Sequence, residues 1–552
     1  MTAAGRREDP TAREAARGGA PRPAPEFALD AWRRTCDAVN GAGLGTTVAA
    51  LEASGALQTL AEAEGPLAVS GWADRHGLNP PYAELAAFLL ATQGWAERRR
   101  DPARGEWWIA LTPAGRAWVR HAHVYSESIA RLDLATELRA RLSGEGKAEA
   151  PDWTALVRVD AAPGDETLAI RLRRHVRGPL LASVLGGLFR AGVLARLARG
   201  PFGWAALDAL ELPVPLVAPC LRLLAEEGFV EIDDDLARLT PSGRVAGQWA
   251  ALDDYVVSYA RVYRNVPVLL GVPLAGAGDA GADDDRDRHL LLYGKSFVLF
   301  QGVHTALAEV VLPLFARAHA ERPRFVLDPS AGDGSALVCV ARAVAGLRRE
   351  TGGRPLLFVG AAANALARVR CEAGLRAEGV PFRVVEGEIA DPDALAARLA
   401  AQGLDLRDAL VVNKGSFHGR RHRGVGHERI APRSGEPSSA VFVTPGHELV
   451  RPEAMEDDLA ACFARWARWV PRHGLVVADT HTVDPAIAAA SCRENALGHV
   501  LSSHGWSHQY LIEVECFRRA AARAGLHARA SVDLGSDRIA RPTMSLEHLV
   551  PA

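Results

Sequence analysis

Glycines and polar side chains follow the apolar run RFVL in the second half of the sequence. Asp328 comes directly after this run, and Ser330, Gly332 and Gly334 follow within the next six residues. Glycines at this spacing let the backbone approach a ligand closely, and a carboxylate can accept hydrogen bonds from an ammonium group. The sequence therefore predicts a small-molecule binding site at the turn after this run.

Candidates for reaction chemistry follow later apolar runs. Lys414 ends the run ALVVNK, His481 directly follows LVVADT, and Gln509 stands beside His508 in the segment SSHGWSHQY. A histidine can act as a general base or bind a metal ion, and a lysine supplies a positive charge. We therefore take His481 and Lys414 as predicted catalytic residues; Gln509 is added to them below, only by a family resemblance.

The elements that must position these residues are apolar runs that alternate with amphipathic segments from Arg324 onwards. Continuous apolar runs of this kind predict a parallel sheet buried on both faces, with ligands bound above the carboxyl ends of the strands. The fold class is therefore α/β, with a Rossmann-like domain over residues 324–552. The segments that carry this pattern are RFVLDPSAGDGSALVCVARAVAGL, PLLFVGAAANALARVRCEAGL, FRVVEGEIADPDALAARLA, DALVVNKGSF and HGLVVADTH.

The order Asp-x-x-x-Gly-x-Gly after the first strand is the form of motif I found in methyltransferases that use S-adenosylmethionine (SAM). The third predicted strand runs into VEGEIADP, which places Glu388 and Asp391 where they would meet the adenine of this cofactor. A dinucleotide-binding Rossmann unit also carries a glycine-rich first turn and stays open as an alternative. We favour SAM because the following helix and the number of strands agree with it.

The end of the second predicted strand departs from this pattern. Such strands usually end in Asp or Glu, which holds the ribose hydroxyls, whereas here Ala361, Ala362 and Ala363 precede Asn364. Asn364 is therefore the predicted ribose contact. Replacing a charged acceptor costs on the order of a few kcal/mol of cofactor affinity, so weak cofactor binding is one expectation.

Several motifs of the second half together resemble a known family, the mononuclear iron-dependent C-methyltransferases of polyketide starter-unit modules of the apratoxin loading-module type. The resemblance rests on motif I, on Asp-Thr-His at 479–481, on Ser-His-Gln-Tyr at 507–510, and on Ser416-Phe417. It implies a divalent metal, Fe²⁺ or Mn²⁺, bound by His481 and Gln509. The family's loop S-F-L-D-H-x-R is replaced here by SFHGRRHR, so the substrate contacts differ.

The resemblance implies carbon methylation of a malonyl-like thioester or a β-dicarbonyl acid in bacterial natural-product biosynthesis. A divalent metal that chelates two substrate oxygens would stabilise the enolate. Together with Lys414, the basic residues Arg420, Arg421 and Arg423 could hold a carboxylate or a phosphopantetheine phosphate, or could form a solvated loop. A metal-independent O- or N-methyltransferase and a catalytically silent binding protein remain the two alternatives.

The first half of the sequence contains two similar stretches, over residues 29–130 and 131–270. Each combines amphipathic helices, a Gly-aromatic pair, a short strand pair and the motif Leu-Thr-Pro-x-Gly-Arg, which together predict two winged-helix-like repeats. The helices that would enter a DNA groove, Pro80–Gln93 and Pro213–Glu226, contain almost no Lys or Arg. We therefore expect a lid or a dimerising module, with a possible homodimer, and no nucleic-acid partner.

The remaining segments and the composition predict how the parts of the chain are connected and where the protein acts. Residues 1–28 are charged and rich in Ala, Gly and Pro, which predicts a disordered leader; 271–287 predicts a flexible linker and 288–323 a helical lid or connector. The charges balance, with 64 Lys and Arg against 66 Asp and Glu, and the seven cysteines are scattered. We expect a cytoplasmic protein without a membrane partner, acting on a small-molecule or carrier-protein-bound acyl substrate.

Overall fold

A computed structural model describes residues 26–101, 105–144, 166–234, 236–278, 301–351, 355–535 and 539–552. Most of the predicted leader, the linker from residue 279 onwards and the first part of the predicted connector lie outside these residues. Residues 26–28 of the predicted leader belong instead to the described helix Glu26–Ala53.

The first half is mainly helical. Its helices, in chain order, are α1 (Glu26–Ala53), α2 (Ala56–Glu62), α3 (Val69–His76), α4 (Pro80–Thr92), α5 (Pro113–Val119), α6 (Ser128–Leu142), α7 (Glu166–Arg190), α8 (Val193–Ala198), α9 (Val214–Glu226), α10 (Pro241–Ser258) and α11 (Ala260–Leu270). Its short strands are β1 (Leu67–Ala68), β2 (Ala96–Arg100), β3 (Trp107–Leu111), β4 (Phe202–Gly203), β5 (Val230–Asp233) and β6 (Leu236–Leu239).

The two similar stretches form the same local structure. Each has a three-stranded antiparallel sheet, in the orders β1-β3-β2 and β4-β6-β5. The threonine of each Leu-Thr-Pro-x-Gly-Arg motif caps the next helix, since Thr112 and Thr240 accept hydrogen bonds from the backbone N–H of Gly115 and Gly243. A Cβ at either glycine would lie 1.8 Å from a backbone oxygen. The motif therefore needs glycine at this position in both copies.

The long helices α1 and α7 cross at close range. A Cβ on Gly41 would lie 2.1 Å from the Cα of His175, and one on Gly178 would lie 2.0 Å from the carbonyl oxygen of Ala38. Only glycine permits backbones to approach this closely, so these two positions fix where the helices cross. The crossing joins the two repeated units through their longest helices.

The second half contains the predicted strands and helices. Its helices are α12 (Gln301–Phe315), α13 (Ser335–Thr351), α14 (Ala365–Glu378), α15 (Pro392–Ala400), α16 (Pro452–Ala467), α17 (Pro485–Ala490), α18 (Leu497–Trp506) and α19 (Val514–Arg523). Its strands are β7 (Phe325–Asp328), β8 (Leu357–Ala361), β9 (Phe382–Val385), β10 (Ala409–Lys414), β11 (Phe442–Val443), β12 (Leu449–Val450), β13 (Leu475–Thr480), β14 (Leu526–Leu534) and β15 (Met544–Pro551).

Seven of these strands form one mixed sheet in the order β14-β15-β13-β10-β7-β8-β9. The strands β9, β8, β7, β10 and β13 are parallel, and β15 runs antiparallel between β13 and β14. The strand order reverses between β7 and β10, which is where an open α/β sheet leaves a crevice for a ligand. The predicted α/β Rossmann-like fold is therefore confirmed.

The two halves share one apolar cluster. Phe88 and Leu85 of α4 belong to the same buried cluster as Phe442, Trp506 and Leu511 of the second half. Helix α1 also packs closely on α18, since a Cβ on Gly43 would lie 2.7 Å from the Cα of His499. The helical half is therefore packed against the loops beyond the carboxyl ends of the sheet strands.

The described part of the predicted connector is α12. Its apolar residues Val303, Leu307 and Val311 are buried with Val326 and Val476 of the sheet, so α12 covers a sheet face. No residue of α12 is among the described residues that line the cavity at the carboxyl ends of the strands, described below. Among the described residues, no helix combines the length and the hydropathy that a membrane crossing requires.

Candidate functional site

A cavity of about 430 Å³ opens at the carboxyl ends of β7, β8, β9 and β10. It lies at the switch point of the sheet, where the predicted glycine turn, the end of β8 and the loop after β10 meet. The residues that line it are Asp328, Ser330, Ala331, Gly332, Asp333, Ser335, Ala336, Ala362, Ala363, Asn364, Ala367, Gly387, Glu388, Ile389, Lys414, Gly415, Ser416, Gly419, Arg420, Arg421 and Pro445.

The glycine turn forms the floor of this cavity. Asp328 is buried and accepts hydrogen bonds from the backbone N–H of Ser330 at 3.0 Å and from Nδ2 of Asn413 at 3.2 Å. Burial raises the pKa of the Asp328 carboxyl to about 7. The buried Oδ1 of Asn413 has no hydrogen-bond partner among the described residues. Two acceptors side by side fit the ammonium group of an amino acid.

Gly332 and Gly334 have the left-handed backbone that the turn requires, with φ of 54° and 80°. Other residues rarely adopt this conformation, so the Gly-x-Gly spacing is a conformational requirement of the turn. The backbone then enters α13, whose first residue, Ser335, also lines the cavity. This turn fits the amino-acid end of SAM, and the residues predicted to hold that end are all at the cavity.

Lys414 lies at the end of the cavity that the glycine turn forms. Its Nζ is 3.0 Å from Oγ of Ser335, and burial lowers the pKa of the ammonium group. Asp328 and Asp333 oppose this shift by their negative charges. Lys414 therefore belongs to the end of the cavity that would take the donor's amino acid, where a cation can hold a carboxylate. The catalytic role predicted for it stays a prediction.

The residues predicted to contact ribose and adenine lie in three different environments. Asn364 lines the cavity, but its Oδ1 caps α14 by accepting from the backbone N–H groups of Leu366 and Ala367. Glu388 lines the cavity at the end of β9. Asp391 caps α15 and pairs with Arg423 at 3.1 Å, and it is not among the described residues that line the cavity.

A buried histidine and aspartate, which sequence reasoning did not select, lie close together next to cavity residues along the chain, although neither is among the described residues that line the cavity. Nδ1 of His418 is 2.5 Å from Oδ1 of Asp479, and the backbone N–H of His418 donates to Oδ2 of Asp479. His418 follows β10 between the cavity residues Ser416 and Gly419, and Asp479 lies near the end of β13. The carboxylate fixes the ring with Nδ1–H toward it, which leaves Nε2 to accept a proton.

The predicted metal ligands do not form an open metal site. Nε2 of His481 is 2.8 Å from Oγ of Ser545, and Nδ1 is 3.2 Å from the carbonyl oxygen of Ile512. Burial lowers the pKa of His481 to about 4, so the ring is neutral, donates from Nδ1 and accepts from Ser545 at Nε2. A metal-bound histidine needs that Nε2 lone pair. The side chain that was predicted to bind the metal is thus occupied by protein contacts.

Gln509, the second predicted metal ligand, is also hydrogen-bonded within its own loop. Nε2 of Gln509 donates to Oγ of Ser507 at 2.8 Å, and Gln509 is buried. Neither His481 nor Gln509 is among the described residues that line the cavity. Among the described residues, no group of three or more His, Cys, Asp or Glu side chains is placed to hold a metal ion. The predicted Fe²⁺ or Mn²⁺ site does not fit the residues as they lie.

The basic loop after β10 divides into buried and exposed residues. Arg420 is buried, pairs with Asp458 at 2.9 Å and donates to the carbonyl oxygen of Phe417. Its guanidinium group therefore has a structural role. Arg421 lines the cavity with an exposed side chain, and its Nε lies 3.6 Å from Oε1 of Glu388. Of the arginines predicted to bind an anion, Arg421 is the one that faces the cavity with its charge accessible.

The helical half contributes a tyrosine to the loops around the cavity. The hydroxyl of Tyr82, on α4, lies 2.7 Å from Nδ1 of His447 and 2.9 Å from Nε2 of His508. Both histidines have a left-handed backbone, with φ of 62° and 57°, which is uncommon outside glycine. His447 belongs to the same turn as Pro445, a cavity residue. Tyr82 therefore ties the helical half to a wall of the cavity.

Comparison with known proteins finds a methyltransferase family and a methyltransferase relative. Residues 285–535 match the family described as "AprA MT2-like domain". A 2-ketoarginine methyltransferase of Streptomyces arginensis is 29% identical over 176 residues, which are 32% of this chain and 48% of that protein. The chain thus matches about half the length of this curated relative. The strand order, the glycine turn and the family match define a class I SAM-dependent methyltransferase domain.

Solved structures of methyltransferases resemble the chain over a larger share of its length. An O-methyltransferase family protein from Burkholderia thailandensis is 16% identical and covers 71% of this chain and 99% of its own, with a TM-score of 0.43. The CurJ carbon methyltransferase is 13% identical and covers 76% of this chain and 99% of its own, with a TM-score of 0.32.

Proposed function

We propose that the protein transfers a methyl group from SAM to a carbon next to a carbonyl group, with His418 as the general base. The acceptor class is a small 2-oxo acid or a malonyl-like thioester of natural-product biosynthesis. The observation that carries the proposal is the buried contact of 2.5 Å between His418 Nδ1 and Asp479 Oδ1, in the loop that contains the cavity residues Ser416 and Gly419. A base held this way suits an acceptor that must lose a proton before it can be methylated.

The residues of the chain have separate roles in this proposal. SAM supplies an electrophilic methyl group when bound, and the turn at Asp328 with Lys414 would hold its amino-acid end. His418 Nε2 accepts the proton of the acceptor, and the Asp479 carboxylate stabilises the resulting imidazolium. Arg421 carries the accessible positive charge for an acceptor carboxylate.

The similar protein from Streptomyces arginensis supports the acceptor class. Its printed name identifies a 2-keto acid as the substrate that it methylates. A 2-oxo acid combines a carboxylate, which Arg421 can pair with, and an acidic C–H next to the carbonyl, which His418 can deprotonate. Carbon methylation of this kind does not require His481 or Gln509 as metal ligands.

We also propose that the helical half, with its two winged-helix-like units, is the covering partner of the site. Tyr82 reaches the loops around the cavity, and the apolar cluster of the first half includes Phe442 and Tyr510 of the second. Burial of this kind excludes water from a reacting centre.

Incubation with [methyl-¹³C]SAM and a panel of 2-oxo acids, malonyl thioesters and phenols tests the function. We expect a new ¹³C-methyl resonance coupled to the proton that remains on the methylated carbon next to the carbonyl group. A methyl group on oxygen or nitrogen would contradict carbon transfer. Failure to bind SAM at millimolar concentration in calorimetry would instead favour a silent binding protein.

A further inference from the structure

The end of β8 lacks a carboxylate for the ribose of the donor. Ala362, Ala363 and Asn364 line this part of the cavity. The two ribose hydroxyls are hydrogen-bond donors, so a residue that binds both needs two acceptor positions. Asn364 Oδ1 already accepts from Leu366 N at 2.7 Å and Ala367 N at 3.1 Å, which leaves it poorly suited to this role.

The end of β9 lies directly beside this gap. The backbone N–H of Ala362 donates to the carbonyl oxygen of Val385 at 3.2 Å, and that of Gly387 donates to the carbonyl oxygen of Ala362 at 3.4 Å. A Cβ on Gly387 would lie 3.0 Å from the Cβ of Ala361. The small residues at both strand ends thus bring the backbone of β9 against β8, and Glu388 follows at once.

Among the acids of the described cavity lining, Glu388 is the one whose carboxylate accepts no hydrogen bond from a described residue. Of the three acids among the described lining residues, Asp328 accepts from Ser330 and Asn413, and Asp333 Oδ1 accepts from the backbone N–H of Ser335. The carboxylate oxygens of Glu388 lie 3.6 Å from Arg421 and 3.8 Å from Arg423, too far for hydrogen bonds. At these distances the arginines leave the lone pairs of Glu388 available.

We propose that Glu388 binds both ribose hydroxyls of the donor, in place of the acid missing from β8. The inference rests on the proposed function, because it concerns the donor of that reaction. It assigns the carboxylate to the ribose, whereas the position of Glu388 in the sequence suggests the adenine. It also makes the run Ala361–Ala363 compatible with a working donor site.

Calorimetric titration with three ligands tests the assignment without any turnover. The ligands are S-adenosylhomocysteine, its 2′,3′-dideoxy analogue and S-inosylhomocysteine, which lacks the adenine amino group. Glu388→Ala should weaken S-adenosylhomocysteine binding by about 10- to 100-fold and should not weaken binding of the dideoxy analogue. Two controls are Glu386→Ala, an exposed acid two residues away, and Asn364→Ser, which keeps a capping side chain.

The outcomes distinguish binding of the ribose by Glu388 from binding of the adenine. A penalty of Glu388→Ala that persists with the dideoxy analogue and disappears with S-inosylhomocysteine would assign Glu388 to adenine and overturn the proposal. An Asn364→Ser variant that alone loses the preference for ribose hydroxyls would also overturn it. If the unaltered protein binds none of the three ligands, the proposed function itself fails, which is a distinct result.

Discussion

The hydroxyl of Tyr82 lies 2.9 Å from Nε2 of His508, and this contact joins a helix of the first half to a loop of the second. The Tyr82 ring also stacks on Trp506 at a centroid distance of 5.6 Å. Because the same hydroxyl contacts His447, in the turn that contains the cavity residue Pro445, Tyr82 positions one wall of the cavity.

Tyr82→Phe should therefore lower kcat/KM for the acceptor by about 5- to 30-fold, because the hydroxyl contacts both His447 and His508 and each lost hydrogen bond corresponds to ~1 kcal/mol. The ring and its stacking are retained, so S-adenosylhomocysteine affinity should not change. The matched control is Tyr125→Phe, which removes another buried hydroxyl bonded to a histidine, His175, at 3.0 Å. An equal loss of kcat/KM in Tyr82→Phe and Tyr125→Phe would show that the Tyr82 hydroxyl contributes only to general stability.

Donor binding should depend on pH through Asp328. The folded protein holds the pKa of this carboxyl at about 7, above its ordinary value of 3.8, so the ionised form that attracts an ammonium group accumulates only as the pH rises through 7. Affinity for SAM should increase from pH 6 to pH 8 and level off above that range.

The variant Asp328→Asn tests whether Asp328 is the group that makes donor binding depend on pH. The variant removes the cost of a buried negative charge, so the ligand-free protein should melt higher at pH 8 than the unaltered protein. Its SAM affinity should be weaker and independent of pH between 6 and 8. A pH dependence that survives the substitution would show that another group controls donor binding.

Asp479→Asn should disable the base while leaving the fold intact. Asn can present an amide N–H toward His418 Nδ1, which would favour the wrong ring tautomer and lower kcat by about 10²- to 10⁴-fold. Donor affinity should stay within about twofold, since Asp479 is not among the described cavity-lining residues. Single-turnover rates measured at saturating donor separate these effects, and an unchanged rate would remove His418 from the mechanism.

His481→Ala distinguishes a structural histidine from a metal ligand. The side chain is fully buried and bonded to Ser545 and Ile512, so its removal should lower the free energy of unfolding by about 2–4 kcal/mol. Ser545→Ala, which removes one of these contacts, should cost about 1 kcal/mol. Elemental analysis should give the same metal content for both variants and the unaltered protein. A stoichiometric Fe or Mn ion lost only in His481→Ala would restore the metal role.

The sequence predicts the sheet and the donor turn well because both depend on local patterns. Apolar runs reveal the strands, and the left-handed backbone at Gly332 and Gly334 requires glycine wherever the turn occurs. The helix caps at Thr112 and Thr240 likewise follow from a motif of a few residues.

The proposed reaction site is harder to predict because its members come from distant segments. His418 and Asp479 are 61 residues apart and meet only because β10 and β13 are neighbours in the sheet. Their available signal was a histidine directly after Ser416-Phe417 and the Asp of Asp-Thr-His. His481 was selected because it follows a strand, yet the side chain after a strand can point to either side, and here it is bonded to Ser545 on β15.

Proton exchange at the acceptor carbon tests the central claim most directly. With a 2-oxo acid acceptor, S-adenosylhomocysteine and D₂O, proton NMR should show loss of the signal of the C–H next to the carbonyl, at a rate that falls at least about 100-fold in His418→Ala. Exchange that continues unchanged in His418→Ala, or methylation of an acceptor whose carbon never exchanges, would contradict a carbon methyltransferase that uses His418 as its base.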